Sequence, residues 1–299
     1  MTQKKLITVV GPTASGKTSL AISIARHFGC EILSCDSRQF FREMQIGTAA
    51  PTEPELALAP HHFVHHKSIF EEYSVGDYEK DALKLLDDLY QRYENAVLVG
   101  GSGLYVNAVL KGFDSFPPID GFVRESLQQA YDANGIDWLR ERLEKLDPAY
   151  YQKVDTSNPQ RMMRALEVCI GTGKPYSSFL AGNLARRPFT PVVIGLTAER
   201  ELLYDRINQR VDMMISDGLV DEARRLYPYR HLNALQTVGY RELFEYFDGF
   251  IDLETAVEEI KKNTRRFAKR QLTWFRRDPD VRWFGIGDPL DKILEHLRP

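Results

Sequence analysis

The strongest chemical signal in the sequence is GPTASGKT at residues 11–18, a complete Gly-x-x-x-x-Gly-Lys-Thr pattern. Its glycines let successive backbone N–H groups turn toward one point, and a following helix adds the positive end of its dipole. Lys17 supplies a full positive charge, and Thr18 offers a hydroxyl group to a magnesium ion. A strand-like segment precedes the motif and a helical one follows, a context that a chance glycine-rich turn would not need. The pattern predicts a loop that binds a polyphosphate, without singling out ATP.

Asp36 and Ser37 follow the next strand-like segment, Glu31 to Cys35. This position is the carboxyl edge of the predicted sheet, beside the phosphate-binding loop, where ligands of open α/β sheets bind. A carboxylate there would bind magnesium or act as a general base. Position alone leaves a second interpretation open, because Asp and Ser are also favoured as helix N-caps.

A third strand, Ala96 to Val99, runs into Gly100-Gly101-Ser102-Gly103. Many P-loop NTPases end a neighbouring strand with an acidic magnesium ligand, which is missing here. Either Asp36 takes that role or the protein is not a standard hydrolase. The glycines would let a large ligand approach the backbone closely, and a tight turn into a helix explains them equally well.

Residues 261–282 concentrate positive charge in a chain whose net charge is −3. They carry nine basic residues against two acidic ones, Asp278 and Asp280, with Phe267, Trp274 and Phe275 between them. The basic residues are Lys261, Lys262, Arg265, Arg266, Lys269, Arg270, Arg276, Arg277 and Arg282. Basic and aromatic side chains together suit an RNA backbone and unstacked bases. A solvated helix face is the alternative, but the concentration of charge favours nucleic acid.

Histidines and cysteines give weaker signals. His61 with His65, and His62 with His66, have the i, i+4 spacing of metal ligands on a helix, although Pro60 and the absence of a nearby cysteine disfavour that interpretation. The three cysteines are an odd number without a CxxC pair, which indicates a reducing compartment. The N-terminus is too short in apolar residues for a signal peptide, and no window is long enough to span a membrane. We therefore expect a cytoplasmic protein with no membrane contact.

The elements that would position these residues alternate between strand and helix. Strands are expected at Leu6 to Val10, Glu31 to Cys35, Ala96 to Val99 and Pro191 to Leu196; helices at Lys17 to His27 and Tyr78 to Tyr93; and loops over residues 42–76. This order is typical of an α/β sheet with right-handed crossovers. Proline-containing breaks flank a stretch whose patterns are all helical. The predicted fold is a P-loop-containing parallel-sheet core of the nucleotide-kinase-like α/β class, residues 1–115 and 188–299, with a helical insertion at residues 116–187.

In their order and spacing, several segments resemble the tRNA dimethylallyltransferases (tRNA isopentenyltransferases) over nearly the whole chain. The matching segments are GPTASGKT at 11–18, DSRQ at 36–39, IGT at 46–48, YSVGDYEKDA at 73–82, GGSGLY at 100–105, RALEV at 164–168, TGKP at 172–175 and AKRQLTWFR at 268–276. Ser102 replaces the usual Thr, and Ala50, His65-His66 and Ser157-Asn158-Pro159 also depart from the family's pattern. None of these departures removes a catalytic group that the resemblance implies, but the loop around residues 50–66 could bind or order differently.

The resemblance implies transfer of a dimethylallyl group from dimethylallyl diphosphate to the exocyclic amine of the adenosine on the 3′ side of the tRNA anticodon. Asp36 would accept the proton of that amine, and Thr13 would contact the bridging oxygen of the diphosphate. Lys17 and Arg210 would neutralise the diphosphate, with Mg²⁺ at Thr18. The implied diphosphate-binding residues are Gly11, Thr13, Ala14, Ser15, Gly16, Lys17, Thr18 and Arg210.

The resemblance also implies a surface that binds the anticodon stem-loop of tRNA, with the helical insertion clasping the stem and the enzyme acting as a monomer. The implied contacts are Asp36, Ser37, Arg38, Gln39, Ser102, Arg124, Gln160, Arg161, Met162, Met163, Arg164, Gln236, Thr237, Val238, Gly239, Tyr240, Arg241, Lys269, Arg270, Gln271, Trp274 and Arg276.

Two other functions remain compatible with the phosphate-binding loop. A small-molecule P-loop kinase would also use Lys17, Thr18 and Asp36, although the basic C-terminal stretch and the lack of an arginine-rich lid disfavour it. An RNA-binding regulator with a degenerate loop would not need an intact Gly16-Lys17-Thr18.

Overall fold

The structure, a computed structural model, describes residues 4–112, 114, 116–180 and 186–297. The chain divides into two compact units, one formed by Met1–Lys111 with Arg186–Pro299 and the other by Gly112–Ala185. The second unit interrupts the first in sequence, and its bounds differ by a few residues from the 116–187 expected for a helical insertion.

A six-stranded parallel sheet organises the first unit. Its strands are β1 (Lys5–Val10), β2 (Ile32–Ser34), β3 (His61–His62), β4 (Asn95–Gly100), β5 (Thr190–Thr197) and β6 (Arg282–Gly285). Their order across the sheet is β3-β2-β4-β1-β5-β6, and every neighbouring pair is parallel. The predicted α/β fold class is confirmed. Because β4 lies between β1 and β2, the loops that follow these three strands meet at one edge of the sheet.

Helices account for most of the rest of the described chain. They are α1 (Lys17–Phe28), α2 (Glu53–Leu58), α3 (Val75–Arg92), α4 (Gly103–Lys111), α5 (Gly121–Leu146), α6 (Pro148–Tyr151), α7 (Pro159–Thr172), α8 (Arg200–Ser216), α9 (Leu219–Leu226), α10 (Tyr240–Phe247), α11 (Leu253–Phe275) and α12 (Leu290–Leu297). The second unit contains α5, α6 and α7, and α5 is interrupted at Gly135, whose φ of 74° is not helical. No helix in the described ranges is long and apolar enough to cross a membrane.

The central strand β1 is buried on both faces. Leu6 and Val10 pack into one hydrophobic cluster, and Ile7 and Val9 pack into a second cluster on the opposite face. This division follows from the alternation of side chains along a strand. A sheet covered on both sides explains the near-continuous apolar run that predicted a buried strand.

The loop prediction for residues 42–76 is wrong in part. Helix α2 begins after Thr52, whose side chain forms a capping box with Glu55, and β3 pairs with β2 through Ile32 and His61. The proline in the first turn of α2 is tolerated because that position needs no N–H partner. A strand of two residues is too short to give an alternating pattern, so only its pairing reveals it.

We expect Gly100→Ala to destabilise the protein by about 2 kcal/mol or more, because crowding of this kind typically costs 1–3 kcal/mol. A Cβ at Gly100 would lie 2.1 Å from the backbone oxygen of Cys35, and neither backbone can move without disturbing the sheet. Gly76→Ala is the matched control, since its Cβ would meet nothing closer than 3.7 Å. Urea unfolding measures both variants; equal free energies of unfolding would contradict this packing.

Candidate active site

A cavity of about 450 Å³ opens in the first unit at the carboxyl ends of β1, β2 and β4. The loop after β1 contributes Thr13, Lys17 and Thr18, and the loop after β2 contributes residues 36–39. The loop after β4 contributes residues 100–102. The sheet therefore brings together all three segments in which the sequence indicated chemistry.

The loop between β1 and α1 has the backbone of an anion-binding site. Gly11 and Gly16 adopt positive φ values of 148° and 84°, and Ala14 adopts a φ of 63°. At Gly11 a Cβ would lie 2.7 Å from the backbone oxygen of Leu196 in β5, so the loop turns in close contact with the neighbouring strand. Gly16 is the N-cap of α1 and brings no side chain to its first N–H groups. These groups stay free to bind an anion.

Two cationic side chains from distant parts of the chain reach this cavity. Lys17 Nζ donates to the backbone oxygen of Pro12 at 2.6 Å, and Arg210 Nη1 lies 3.5 Å from Thr13 Oγ1. Burial and, to a smaller extent, the nearby charge of Arg210 lower the pKa of Lys17 to about 7, while Asp36 opposes the shift. Burial also lowers the pKa of Arg210. A bound anion would stabilise the charged forms of both side chains.

Asp36 lines the cavity and also closes a turn. Its Oδ1 accepts the backbone N–H of Arg38 at 2.9 Å and that of Gln39 at 3.4 Å. The helix N-cap interpretation is wrong, since the next helix begins only at Glu53. In the described part of the chain no hydrogen bond engages Oδ2, so one carboxylate oxygen stays available to a substrate.

The glycines after β4 admit protein atoms. A Cβ at Gly101 would lie 2.1 Å from Gln271 Nε2, and a Cβ at Gly103 would lie 2.2 Å from Trp274 Cδ1. Helix α4 begins at Gly103, as the tight-turn interpretation requires. Close approach of a ligand is therefore not needed to explain these glycines. Ser102 accepts the backbone N–H of Ser37 at 3.1 Å and so ties the β4 loop to the β2 loop.

One face of α8 forms the opposite lining of the cavity. Ile207, Arg210, Val211 and Met214 line it at the i, i+3, i+4 and i+7 spacing of a single helix face. Further apolar lining comes from other helices and loops, namely Leu219, Val238 and Ile260. The cavity therefore has a charged wall at the phosphate-binding loop. It also has enough apolar side chains to enclose a small hydrocarbon group.

Glu222 is a buried residue that the sequence analysis missed. Its carboxylate accepts the N–H groups of Gln45, Ile46 and Gly47 at 2.9–3.1 Å and the hydroxyl of Tyr240 at 2.7 Å. Only 3% of Glu222 is exposed. This carboxylate fixes the segment that continues into Thr48 and Ala49, which line the cavity. A glutamate within the apolar stripe of Leu219, Ala223 and Leu226 was the available signal.

Glu242 fixes a second wall segment in a similar way. Its Oε2 accepts the N–H of Gly239 at 2.8 Å, and its Oε1 accepts from Asn263 Nδ2 at 2.8 Å. Residues 236–239 line the cavity directly before this contact. Two buried carboxylates thus hold the 45–49 and 236–239 segments against the helices.

Four side chains of the implied tRNA-contacting segments are buried. Met162 and Met163 lie in the hydrophobic cluster of the second unit. Tyr240 donates a hydrogen bond to Glu222, and Gln271 is 6% exposed and lines the cavity. Contacts of these four residues with RNA stay predictions. Arg38, Gln39, Ser102, Gln236, Thr237, Val238, Gly239, Arg241 and Arg270 line the cavity, and RNA binding by the accessible residues stays a prediction.

In the second unit, a polar network joins α5 and α7. Arg124 contacts Glu167 at 3.3 Å and Gln160 at 2.8 Å, and Arg164 contacts Glu167 at 3.0 Å. Arg161 lies in the first turn of α7, where its backbone N–H donates to Asn158 Oδ1. Three of the implied contacts of this unit, Arg124, Gln160 and Arg164, thus belong to one network around Glu167.

Fewer of the basic residues in 261–282 carry an unpaired charge than their number in the sequence indicated. Lys261 pairs with Asp212 at 2.8 Å, and Lys262 pairs with Glu259 at 2.7 Å. Lys269, Arg270 and Arg276 are exposed, and they form no ion pair within the described residues. The uncompensated charge therefore lies toward the C-terminal end of α11, beside the cavity that Arg270 lines.

The histidine spacing does not build a helical metal site. His61 and His62 lie in β3, where His62 Nε2 contacts Glu31 Oε2 at 2.6 Å and His61 Nδ1 contacts the oxygen of Ala59 at 2.7 Å. Over the described ranges, no group of three or more His, Cys, Asp or Glu side chains could hold a metal ion. The magnesium ion expected at Thr18, which lines the cavity, stays a prediction.

Comparisons with known proteins identify the family to which the chain belongs. The model of the IPP transferase family matches residues 39–278. The chain belongs to the IPP transferase family. It is 58% identical to a tRNA dimethylallyltransferase of Flavobacterium psychrophilum over 97% of this chain and 96% of that protein. It is 48% identical to tRNA dimethylallyltransferase 1 of Bacteroides fragilis over 100% and 99% of the two chains.

Two solved structures extend the likeness of this IPP transferase to the fold. A tRNA isopentenylpyrophosphate transferase of Bacillus halodurans superposes with a TM-score of 0.73 at 39% identity and covers 99% of this chain and 94% of that one. A eukaryotic dimethylallyltransferase, described as acting on tRNA, superposes with a TM-score of 0.81 at 26% identity over 95% and 74% of the two chains. The parallel sheet of this IPP transferase therefore belongs to its family's fold.

We expect binding of inorganic diphosphate with Mg²⁺ to take up a proton at pH 8. Free Lys17, with a pKa of about 7, is mostly neutral at that pH, and the bound anion favours its charged form. Affinity should consequently fall as the pH rises above 7. Calorimetry in two buffers of different ionisation heat measures the uptake. Lys17→Arg is the control, because arginine stays charged and leaves only the protonation of the ligand; equal uptake by both proteins would contradict the assignment.

Proposed function

We propose that this chain is a tRNA dimethylallyltransferase. It transfers the dimethylallyl group of dimethylallyl diphosphate to the exocyclic amine (N6) of the adenosine 3′-adjacent to the anticodon and releases diphosphate. The observation that carries the proposal is the arrangement of one cavity, in which an anion-binding loop, two desolvated cations and a free carboxylate oxygen meet apolar side chains. The family of the chain supports the same chemistry.

The phosphate-binding loop receives the diphosphate of the donor. Backbone N–H groups at the start of α1 and the charges of Lys17 and Arg210 bind its oxygens. These contacts strengthen as the carbon–oxygen bond breaks, because negative charge moves onto the departing diphosphate. The hydroxyl of Thr13, next to Arg210, faces the bridging oxygen, where that charge first appears.

Asp36 is the general base. The adenine amine is a weak nucleophile, and its proton becomes acidic as the nitrogen forms a bond to the prenyl carbon. The free Oδ2 of Asp36 takes this proton while Oδ1 keeps its two backbone hydrogen bonds. The electron pair of the broken carbon–oxygen bond leaves with the diphosphate, so the charges balance.

The remaining parts of the cavity bind and shield the reactants. Thr18 and the diphosphate oxygens would hold Mg²⁺, which would add positive charge at the leaving group. The apolar face of α8, with Val211 and Met214, encloses the branched hydrocarbon and excludes water from the electrophilic carbon. The target adenine leaves its stack to enter the cavity, at a cost of a few kcal/mol.

The exposed cations near the cavity bind the anticodon stem-loop. Arg270 lines the cavity, Lys269 and Arg276 are exposed on and just after α11, and all three suit RNA phosphates. Arg124 and Arg161 of the second unit also contact the RNA. The cytoplasmic location and the monomeric state expected from the sequence stay predictions.

We expect purified protein to transfer label from dimethylallyl diphosphate to an anticodon stem-loop with adenosine beside the anticodon. Asp36→Asn should lower kcat by about 100-fold or more, within the range that general bases contribute. Its amide oxygen can still accept the N–H groups of Arg38 and Gln39 and preserve the turn. Binding of tRNA should change by less than about tenfold.

Asp36→Ala serves as the comparison, since it removes both the base and the turn. Equal losses of tRNA affinity and rate in Asp36→Asn would make Asp36 an anchoring residue. Rapid ATP turnover without transfer to RNA would support the kinase alternative and reject the proposed function.

A further inference from the structure

Gln271 is a buried polar side chain on α11, a helix that carries buried apolar residues and exposed charged ones. It lies near the C-terminal end of α11, where its neighbours Lys269 and Arg270 are exposed, yet it is only 6% exposed itself. A buried amide costs free energy unless its donor and its acceptor are both satisfied. The partners of this amide therefore indicate what its burial achieves.

The amide of Gln271 joins two loops. Its Oε1 accepts the backbone N–H of Thr13 at 2.8 Å, and its Nε2 donates to the backbone oxygen of Gly101 at 3.0 Å. These loops follow the neighbouring strands β1 and β4, which pair through Val10 and Gly100. Glutamine meets the requirement because its side chain both donates and accepts, whereas an ionised glutamate can only accept.

The amide packs closely on the backbone of Gly101. A Cβ at Gly101 would lie 2.1 Å from Gln271 Nε2, so the amide fills the space that a side chain would need. One helical turn later, Trp274 packs on Gly103, the first residue of α4. Helix α11 therefore contacts the chain after β4 at two successive positions.

The contact with Thr13 constrains a short stretch that has little support of its own. Pro12 lacks an N–H group, and Ala14 adopts a left-handed φ of 63°. The N–H of Thr13 points to Gln271 and is therefore unavailable to an anion. With its backbone held from outside, Thr13 presents its hydroxyl to the cavity beside Arg210.

We infer that Gln271 is a positioning residue that holds the Thr13 hydroxyl against the departing diphosphate through the backbone N–H of Thr13. This inference rests on the proposed function, in which Thr13 faces the bridging oxygen. Both polar atoms of the amide are engaged inside the protein, while Gln271 also lines the cavity and is implied as an RNA contact by the resemblance. A direct RNA contact is instead an outcome that the test can reveal.

A double-mutant cycle on kcat tests the inference. Gln271→Met keeps the length of the side chain but neither accepts from Thr13 nor donates to Gly101, and Thr13→Ala removes the hydroxyl while keeping the N–H. We expect Gln271→Met to lower kcat by about tenfold or more and to change the KM for tRNA by less than about threefold. In the Thr13→Ala background the same change should cost less than about twofold.

Two further variants guard against a trivial explanation. Thr273→Ala changes an exposed residue of the same helix and should leave kcat unchanged. Gln271→Glu keeps an acceptor for Thr13 and loses the donor to Gly101, so it should retain more of kcat than Gln271→Met. Its added negative charge should raise the KM for the donor. Should Gln271→Met fail to fold, the cycle is completed with Gln271→Leu, which also offers no acceptor to the N–H of Thr13.

Additive effects in the cycle would overturn the inference, and a loss of tRNA affinity equal to the loss of rate would make Gln271 an RNA contact. Amide hydrogen exchange gives a readout that needs no transfer activity. The peptide spanning residues 11–18 should exchange faster in Gln271→Met than in the unaltered protein, and unchanged exchange would refute the bridge. Absence of transfer by the unaltered protein would reject the proposed function, while the exchange measurement would still decide the bridge.

Discussion

The structure depends on a pair of desolvated cations held next to one carboxylate. Lys17 and Arg210 lie in the same cavity, and burial lowers the pKa of each side chain. Burial destabilises both charges in the empty site although Asp36 lies near each of them and Glu55 lies near Arg210, and a polyvalent anion relieves that destabilisation. The preference of the site for a diphosphate therefore comes from the positive charges of Lys17 and Arg210, which the protein alone does not neutralise fully. The order of the strands, the glycines of the loops and the buried side chains of Glu222, Glu242 and Gln271 all keep the cavity-lining groups in place.

Three buried side chains, Glu222, Glu242 and Gln271, hold the loops that line the cavity by hydrogen bonds to their backbones. Glu222 binds three successive backbone N–H groups, and Glu242 binds the N–H of Gly239, so both wall segments are fixed by charge-assisted hydrogen bonds. Gln271 does the same for the loops after β1 and β4 with a neutral amide. Side chains from α9, α10 and α11 thus define a cavity whose reactive groups come from the sheet edge.

Local sequence patterns predicted the parts of this site that depend on local structure. The phosphate-binding loop and Asp36 follow strands, and a strand followed by a special turn leaves a readable pattern. Arg210 was implied only by family resemblance, because a cation in mid-helix has no distinctive spacing. Glu222 was missed because its partners lie some 175 residues away along the chain. Met162 and Met163 lie in a hydrophobic cluster. The sequence did not predict this burial, because it depends on tertiary packing against α5.

The most direct measurement is a structure of the protein with an anticodon stem-loop and an unreactive thio analogue of dimethylallyl diphosphate. We expect both phosphates of the analogue to lie against residues 13–18, with Lys17 and Arg210 on their oxygens. We also expect the adenine amine within hydrogen-bonding distance of Asp36 Oδ2. A diphosphate bound away from this loop, or an adenine whose amine faces some other side chain, would contradict it.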